Sequence, residues 1–249
     1  MKIKRLLSKS NHYNKFVNYC NRMESKADAI IHQQAELLMA QKYHDTIADY
    51  EWLKYKGISP GGWAIDYAFC YTLARTLNAM KPTCILECGL GQSSRLIHQY
   101  ASYYKKDALT FEHDEKWIEF LKNEAGNLYP INVCKLELSE IEYKGQKTLT
   151  YKDYTEVIGN TKYDLLVVDG PFGSSHFSRS QAIDLCQNNL ADSFCIIIDD
   201  TERTGERETV NEIINILKLN NIDFSSKDYS SLKTHTLICS KNLSFLTSL

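Results

Sequence analysis

The sequence predicts an α/β fold: a Rossmann-like, doubly wound, mostly parallel seven-stranded sheet with an antiparallel C-terminal edge hairpin, plus an N-terminal helical extension. Between residues 59 and 240, short apolar runs alternate with segments of helical periodicity, which is typical of parallel strands joined by right-handed crossovers. The last two apolar runs have no helix between them, which favours an antiparallel pair at the sheet edge. We therefore assign residues 59–249 to this domain and residues 1–58 to the extension.

The composition narrows the range of partners. The formal net charge is −2, so the sequence gives no reason to expect nucleic acid or an anionic membrane as a partner. No apolar run approaches the length of a membrane span, and no signal-peptide core follows the basic start. The eight cysteines form no C-x-x-C pair, which indicates free thiols in a reducing compartment. We therefore expect a cytoplasmic protein.

The N-terminal extension has the periodicity of a helix over about residues 11–55. Apolar residues recur there at spacings of three and four: Ala27, Ile30, Ile31, Ala35, Leu38 and Ala40. An apolar stripe of this kind has three interpretations: the helix covers the domain as a layer, it forms an arm for a homodimer, or it lines one wall of the substrate pocket. A second helix is predicted over residues 63–80, between a turn cluster and Pro82, with Trp63 either as a buried anchor or in contact with a ligand.

The central stretch of the chain is residues 83–95, where an apolar run ends in Glu87 and gives way to two glycines. The pattern predicts a buried strand, a tight loop and a helix. Without a Cβ atom, Gly89 and Gly91 allow a ligand to approach the main chain. Ser93 or the next serine can cap the helix, whose first N–H groups then face the ligand. The loop therefore predicts a nucleotide site, although a plain β–α turn that binds nothing has the same features.

Further elements follow in regular alternation along the chain. We predict strands at residues 108–111, 131–134, 163–168 and 194–198, an inserted hairpin within residues 135–154, helices at about 180–190 and 206–219, and the closing strands near 222–224 and 234–239.

Acidic residues stand where the predicted strands end. They are Glu87, Glu112, Asp169, Asp199 and Asp200. Ligands of open α/β sheets bind beyond the carboxyl ends of the strands, so these side chains are expected to surround one site. A domain without a site would scatter its carboxylates over solvated helix faces.

The first strand and its loop resemble the first motif of the class I S-adenosylmethionine-dependent methyltransferases. That motif is an acidic residue followed by Gly-x-Gly, present here as Glu87-Cys88-Gly89-Leu90-Gly91. The resemblance covers about residues 60–240 in element order and implies S-adenosylmethionine as cofactor.

The resemblance also implies roles for individual residues. Gly89 and Gly91 would meet the methionine end of the cofactor, with Ser93 in the same loop, and Glu87 would position that loop. Glu112 would bind the ribose, His113 would pack beside the base, and Asp169 would lie where methyl donor and acceptor meet. The sequence departs from the family in one respect, because no clear acidic residue that would contact the adenine follows the third strand.

Two other functions remain open at this level. One is an NAD-type oxidoreductase, which is disfavoured because Ser94 replaces the third glycine of a dinucleotide loop and no catalytic Tyr-x-x-x-Lys is evident. The other is a methyltransferase-like domain that binds without catalysis. The leading prediction is O-methylation of a hydroxylated small molecule or a saccharide.

An oxygen nucleophile needs its proton removed, and the sequence offers two devices. One is a general base, either Asp169 or His176 in the loop that follows it. The other is a divalent metal such as Mg²⁺ bound by Asp169, Asp199 and Asp200, similar to the metal-dependent catechol-type O-methyltransferases.

Two arginines flank the predicted site on loops, Arg179 and Arg203. They are expected either to pair with an anionic acceptor or to form surface salt bridges.

Overall fold

A computed structural model describes the backbone of residues 2–248 and the side chains of residues 13–248. The first helix, α1, is 45 residues long and spans Lys2–Thr46. Its last turns and the segment after it pack into the core, where Tyr43, Ile47, Trp52 and Leu53 are buried. Part of the predicted extension is therefore continuous with the hydrophobic core of the domain.

The remaining elements follow the predicted alternation. The strands of the main sheet are β1 Cys84–Cys88, β2 Asp107–Glu112, β3 Val133–Lys135, β6 Tyr163–Val168, β7 Leu190–Ile198, β8 Phe224–Ser230 and β9 Thr234–Ser240. The inserted hairpin consists of β4 Leu138–Tyr143 and β5 Gln146–Tyr151. The helices are α2 Tyr67–Met80, α3 Gln92–Tyr104, α4 Glu115–Ala125, α5 Tyr154–Ile158, α6 Gln181–Asn188 and α7 Thr204–Leu219, followed by a 3-10 helix at Lys241–Ser248.

Within residues 2–248, the seven strands of the main sheet have the order β3-β2-β1-β6-β7-β9-β8. The first five of these are parallel, and β9 pairs antiparallel with both β7 and β8. This confirms the predicted fold class. Strand β1 lies between β2 and β6, and the strand order reverses at this point, where open α/β sheets bind their ligands.

Side chains of the central strands alternate between two core layers, because successive residues of a strand point to opposite faces. Leu165 and Val167 of β6 lie in the layer that α1, α2 and α3 cover. Leu166 and Val168 lie in the layer covered by α6 and α7. Burial on both faces explains the continuous apolar run of this strand.

The second helix begins at Tyr67 rather than at residue 63. The Asp66 carboxylate accepts a hydrogen bond from the backbone N–H of Phe69 (2.8 Å) and caps the helix there. Residues 57–66 therefore form an irregular segment, in which Trp63 is 91% exposed. The interpretation of Trp63 as a buried anchor was wrong.

The composition also led us to expect free thiols and no membrane-spanning segment. All eight cysteines are free, and five of them are buried: Cys70, Cys88, Cys186, Cys195 and Cys239. Among the described residues, no helix combines the length and the apolar character that crossing a membrane requires.

Candidate functional site

The two glycines after β1 serve different purposes. Gly89 has φ +98°, and a Cβ atom there would lie 2.8 Å from the carbonyl carbon of Asp169, so side chains are excluded by the close approach of β6. Gly91 has φ −165°, an extended conformation that any residue adopts. Its Cβ position has no atom within 4 Å, and Gly91 lines the main cavity. Gly89 shapes the loop, and Gly91 leaves space for a ligand.

Glu87 fixes the loop from inside the protein. Its fully buried carboxylate accepts hydrogen bonds from the hydroxyls of Ser93 (2.6 Å), Ser94 (2.6 Å) and Thr110 (2.7 Å). The Ser94 hydroxyl in turn accepts the backbone N–H of Gly91 (2.9 Å). Glu87 therefore holds the loop in place through these serines. Ser93 points to Glu87 and is not among the residues that line the cavity.

Glu112, at the end of β2, lines the cavity with a largely buried carboxylate. Its Oε1 accepts the backbone N–H groups of His113 (2.7 Å) and Asp114 (2.9 Å), and its Oε2 accepts that of Leu90 (3.1 Å). Each carboxylate oxygen has two lone pairs, so Oε2 keeps capacity for one more donor. The side chain is thus held by amides and can still accept a ligand hydroxyl.

The cavity has a volume of about 400 Å³, within the range of small-molecule sites. It lies beyond the carboxyl ends of β1, β2, β6 and β7. The predicted site residues on its wall are Gly89, Gly91, Glu112, His113, Asp169 and Asp200. Four aromatic side chains join them: Trp63, Trp117, Tyr151 and Phe172.

Tyr151 is one of the residues of the site that sequence reasoning missed. It ends β5 of the inserted hairpin, is 1% exposed, and packs on Phe111 with ring centroids 5.6 Å apart. Within residues 13–248 its hydroxyl has no hydrogen-bond partner, although it lines the cavity. A buried hydroxyl without a partner is costly, which indicates that a ligand or water satisfies it.

The three aspartates converge as the sequence predicts. Asp169, Asp199 and Asp200 each offer a carboxylate oxygen, and these oxygens lie within 4.8 Å of one another. Burial raises the pKa of Asp169 to about 6 and raises the pKa of Asp199 well above its usual range. Burial also acts to raise the pKa of Asp200, but the neighbouring cations outweigh it and hold that pKa below its usual value.

Those cations are part of the cluster. Arg179 is 3% exposed, and its Nη2 donates to Asp200 Oδ2 (2.7 Å) and Asp169 Oδ1 (3.3 Å). Lys233 Nζ lies 3.4 Å from Asp200 Oδ1 and 3.7 Å from Asp199 Oδ2. Arg203, which is about half exposed, lies 3.0 Å from Asp200 Oδ2. Arg179 therefore forms neither a surface salt bridge nor a flanking contact, because it lies at the centre of the site.

The two candidate bases differ in position. Asp169 lines the cavity. The His176 side chain is 45% exposed, its Nδ1 lies 3.0 Å from Glu208, and it is not among the cavity-lining residues. Of these two residues, the structure therefore places Asp169 at the cavity and His176 away from it.

Two solved structures have a similar fold. An O-methyltransferase from Bacillus cereus in complex with S-adenosylhomocysteine is 16% identical, with a TM-score of 0.50 over 84% of this chain and 91% of that chain. A methyltransferase from Podospora anserina with bound S-adenosylhomocysteine is 13% identical, with a TM-score of 0.50 over 88% and 96%. No family model and no curated protein sequence matches the chain. The likeness establishes the Rossmann-like fold of class I methyltransferases.

Proposed function

We propose that this protein is an S-adenosylmethionine-dependent methyltransferase and that the cavity beside β1 holds the cofactor. The observation that carries the proposal is the pairing of Gly91, whose missing side chain opens the cavity, with Glu112, whose carboxylate keeps an acceptor site in the same cavity. The fold of the chain is shared with two proteins that bind S-adenosylhomocysteine.

The described residues fit such a cofactor. Glu112 Oε2 would hold a ribose hydroxyl, because Leu90 N–H occupies only one of its lone pairs. The Tyr151 hydroxyl provides a further polar group inside the cavity. The His113 and Phe172 rings lie edge-on to each other with their centroids 4.8 Å apart, and both line the wall, where a planar base would pack. Glu137, the acidic residue in the short segment between β3 and β4, does not line the cavity.

The bound cofactor supplies an electrophilic methyl group on a sulfonium. The chain has to align the acceptor with it and remove the proton of an acceptor hydroxyl. Asp169 is the group for the second task, since it lines the cavity and its pKa of about 6 leaves it ionised yet basic at neutral pH.

The mouth of the cavity indicates the kind of acceptor. Trp63 is 91% exposed and Phe172 is 58% exposed, and both line the cavity. Exposed rings that border a polar site suit a hydroxylated ring, such as a saccharide or a small aromatic molecule. Arg203 on the same wall can pair with a carboxylate or phosphate of that acceptor.

Calorimetry with S-adenosylhomocysteine, S-adenosylmethionine and NAD, side by side, tests the proposal. We expect both adenosyl ligands to bind and to raise the melting temperature, because a ligand that binds only the native state stabilises it. Heat with NAD and none with S-adenosylhomocysteine would reverse the assignment.

The substitution Gly91→Val is expected to preserve folding and to weaken S-adenosylhomocysteine binding about 100-fold or more, because the new side chain would fill cavity space. Gly57→Val is the matched control: it also has open space at its Cβ position, but it does not line the cavity. Full affinity in a folded Gly91→Val protein would show that the ligand lies elsewhere.

The substitution Glu112→Gln should weaken binding by about 1–3 kcal/mol, since a ribose hydroxyl loses a charged acceptor. Glu115→Gln, three residues away and exposed, controls for the loss of one negative charge near the site. Calorimetry gives both values. Equal affinities of the two variants would remove Glu112 from the ribose site.

A further inference from the structure

The carboxylate cluster agrees with a divalent metal site in ligand type only. Three aspartate oxygens are hard ligands of the kind that Mg²⁺ prefers, and they lie close together. Oxygens of Asp169 and Asp200, however, are already in contact with cationic side chains, whereas the Asp199 oxygens accept no hydrogen bond from the described residues and have only Lys233 nearby, at 3.7 Å from Oδ2. Asp200 Oδ2 accepts a hydrogen bond from Arg179 and faces Arg203, and Asp200 Oδ1 faces Lys233. Asp169 Oδ1 faces Arg179.

Charge and space both disfavour an added ion. The cluster holds three cationic side chains, and its acids are the three aspartates and the buried Glu206, which lies 3.9 Å from Arg179 Nε. The positive and negative side chains of the cluster therefore nearly balance one another without a metal ion. Mg²⁺ requires an octahedral set of oxygens at about 2.1 Å, which the guanidinium between Asp169 and Asp200 obstructs.

We infer that Arg179 and Lys233 take the place of the divalent ion in this chain. Arg179 is buried, so its charge is little screened, and it joins the ends of β6 and β7 by also donating to the backbone carbonyl of Asp199 (2.9 Å). Lys233 comes from the turn before β9 and faces the two aspartates from another side. Arg179 also holds Asp169 at the cavity wall by donating a hydrogen bond to its Oδ1. The inference concerns metal binding and holds whether or not the cavity takes S-adenosylmethionine.

Manganese titration of the full chain, followed by calorimetry and by the electron paramagnetic resonance of free Mn²⁺, tests this inference. We expect no saturable binding at millimolar Mn²⁺ and no shift in melting temperature. The double substitution Arg179→Met with Lys233→Met removes both cations and is expected to create Mn²⁺ binding that Asp199→Asn abolishes. If the double variant does not fold, Lys233→Met alone is the test, since that side chain is partly exposed.

One tight Mn²⁺ site in the unmodified protein, lost in Asp199→Asn, would overturn the inference. Absence of gained binding in a folded double variant would also contradict it, because the cations would then not be what excludes the ion. S-adenosylhomocysteine calorimetry on the same samples reports separately on the proposed function.

A second, independent observation concerns α1. Within residues 13–46, its exposed large apolar side chains are Tyr13, Phe16, Tyr19, Met23, Ile30, Ile31, Leu37 and Leu38. At 3.6 residues per turn they fall within an arc of about 120°. Glu36, Met39 and Tyr43, which contact the domain, lie on the opposite side of the helix. We call the eight residues the α1 stripe. It faces away from the core of its own chain.

The α1 stripe contains one apolar position that repeats every seven residues, as one of the two core positions of a coiled-coil heptad does. Phe16, Met23, Ile30 and Leu37 are separated by seven residues each. Their exposed fractions lie between 48% and 71%, so the stripe offers roughly 900 Å² of apolar surface on each helix, close to one side of a standard protein interface. A stripe of that size is rarely left open to water.

We propose that a second copy of the chain covers the α1 stripe, with the two helices antiparallel. Residues 13–26 carry three basic residues and one acidic residue, whereas residues 27–46, leaving out Glu36 because it contacts its own domain, carry two acidic residues and one basic residue. An antiparallel pair therefore sets the basic half of each helix against the acidic half of the other, and a parallel pair sets like charges together.

Sedimentation or light scattering of the full chain measures the oligomeric state. We expect a dimer at micromolar concentration, and a monomer after Met23→Glu with Ile30→Glu. The control is Asn21→Glu with Ser25→Glu, which adds the same charges to the opposite, exposed face of α1. Reversing the basic half, with Lys15→Glu and Lys26→Glu, should weaken an antiparallel dimer. The proposal would be refuted if the unmodified protein is a monomer, whether or not it binds lipid vesicles. The antiparallel arrangement would be refuted if the charge reversal strengthens the dimer.

Discussion

Gly89→Val is expected to lower the free energy of unfolding by about 4 kcal/mol or more, enough to leave little folded protein. The Cβ of any residue at this position would lie 2.8 Å from the carbonyl carbon of Asp169 and 2.9 Å from the backbone nitrogen of Gly170. Both contacts are with backbone, so relief requires the ends of β1 and β6 to separate. The φ of +98° adds strain that a β-branched residue cannot relieve.

Urea unfolding followed by circular dichroism measures the effect. Gly91→Val is the matched comparison, because it places the same side chain two residues further on, at an extended φ and in open space. We expect Gly91→Val to unfold near the midpoint of the unmodified protein. Similar midpoints for the two variants would mean that the close approach of Gly89 to Asp169 does not constrain the loop.

The parts that the sequence predicts are those whose cause is local. The apolar run of β6 is continuous because both of its faces are buried, so Leu165 to Val168 identify a central strand without any knowledge of its neighbours. The acidic residues at strand ends follow from the same rule, since parallel strands bring their carboxyl ends to one edge. Glu87, Glu112 and Asp169 were therefore predictable as a group.

The parts that were missed depend on contacts distant in the sequence. Tyr151 reaches the cavity only because the inserted hairpin packs against β2, where Tyr151 meets Phe111. Arg179 looks like a surface loop residue, and its burial is set by carboxylates 10 and 21 residues away. His176, three residues earlier in the same loop, lies against Glu208 instead. Spacing alone does not distinguish these two loop positions.

Glu87 provides the prediction with the clearest pH dependence. Burial raises its pKa to about 7, against the pull of the Ser93, Ser94 and Thr110 hydroxyls, which favour the ionised form. The reference value is 4.5, so the folded protein binds this proton more tightly than the unfolded chain does. The protonated carboxyl therefore contributes stability that is fully present below pH about 4.5 and is lost as the pH rises through about 7. A shift of this size corresponds to about 3 kcal/mol.

Glu87→Gln removes the titration and keeps a side chain of the same shape. We expect the stability of the variant relative to the unmodified protein to increase by about 3 kcal/mol between pH 4.5 and pH 7.5, because only the unmodified protein has to bury a carboxylate at the higher pH. Comparing the two proteins cancels the contributions of Asp169 and Asp199, which also titrate in the folded state. Glu119→Gln, an exposed residue of α4, controls for the loss of one charge. Unfolding curves of Glu87→Gln that follow those of the unmodified protein at every pH would mean that Glu87 is ionised in the folded protein throughout. In that case the loop would be held by a buried anion and three hydroxyl donors.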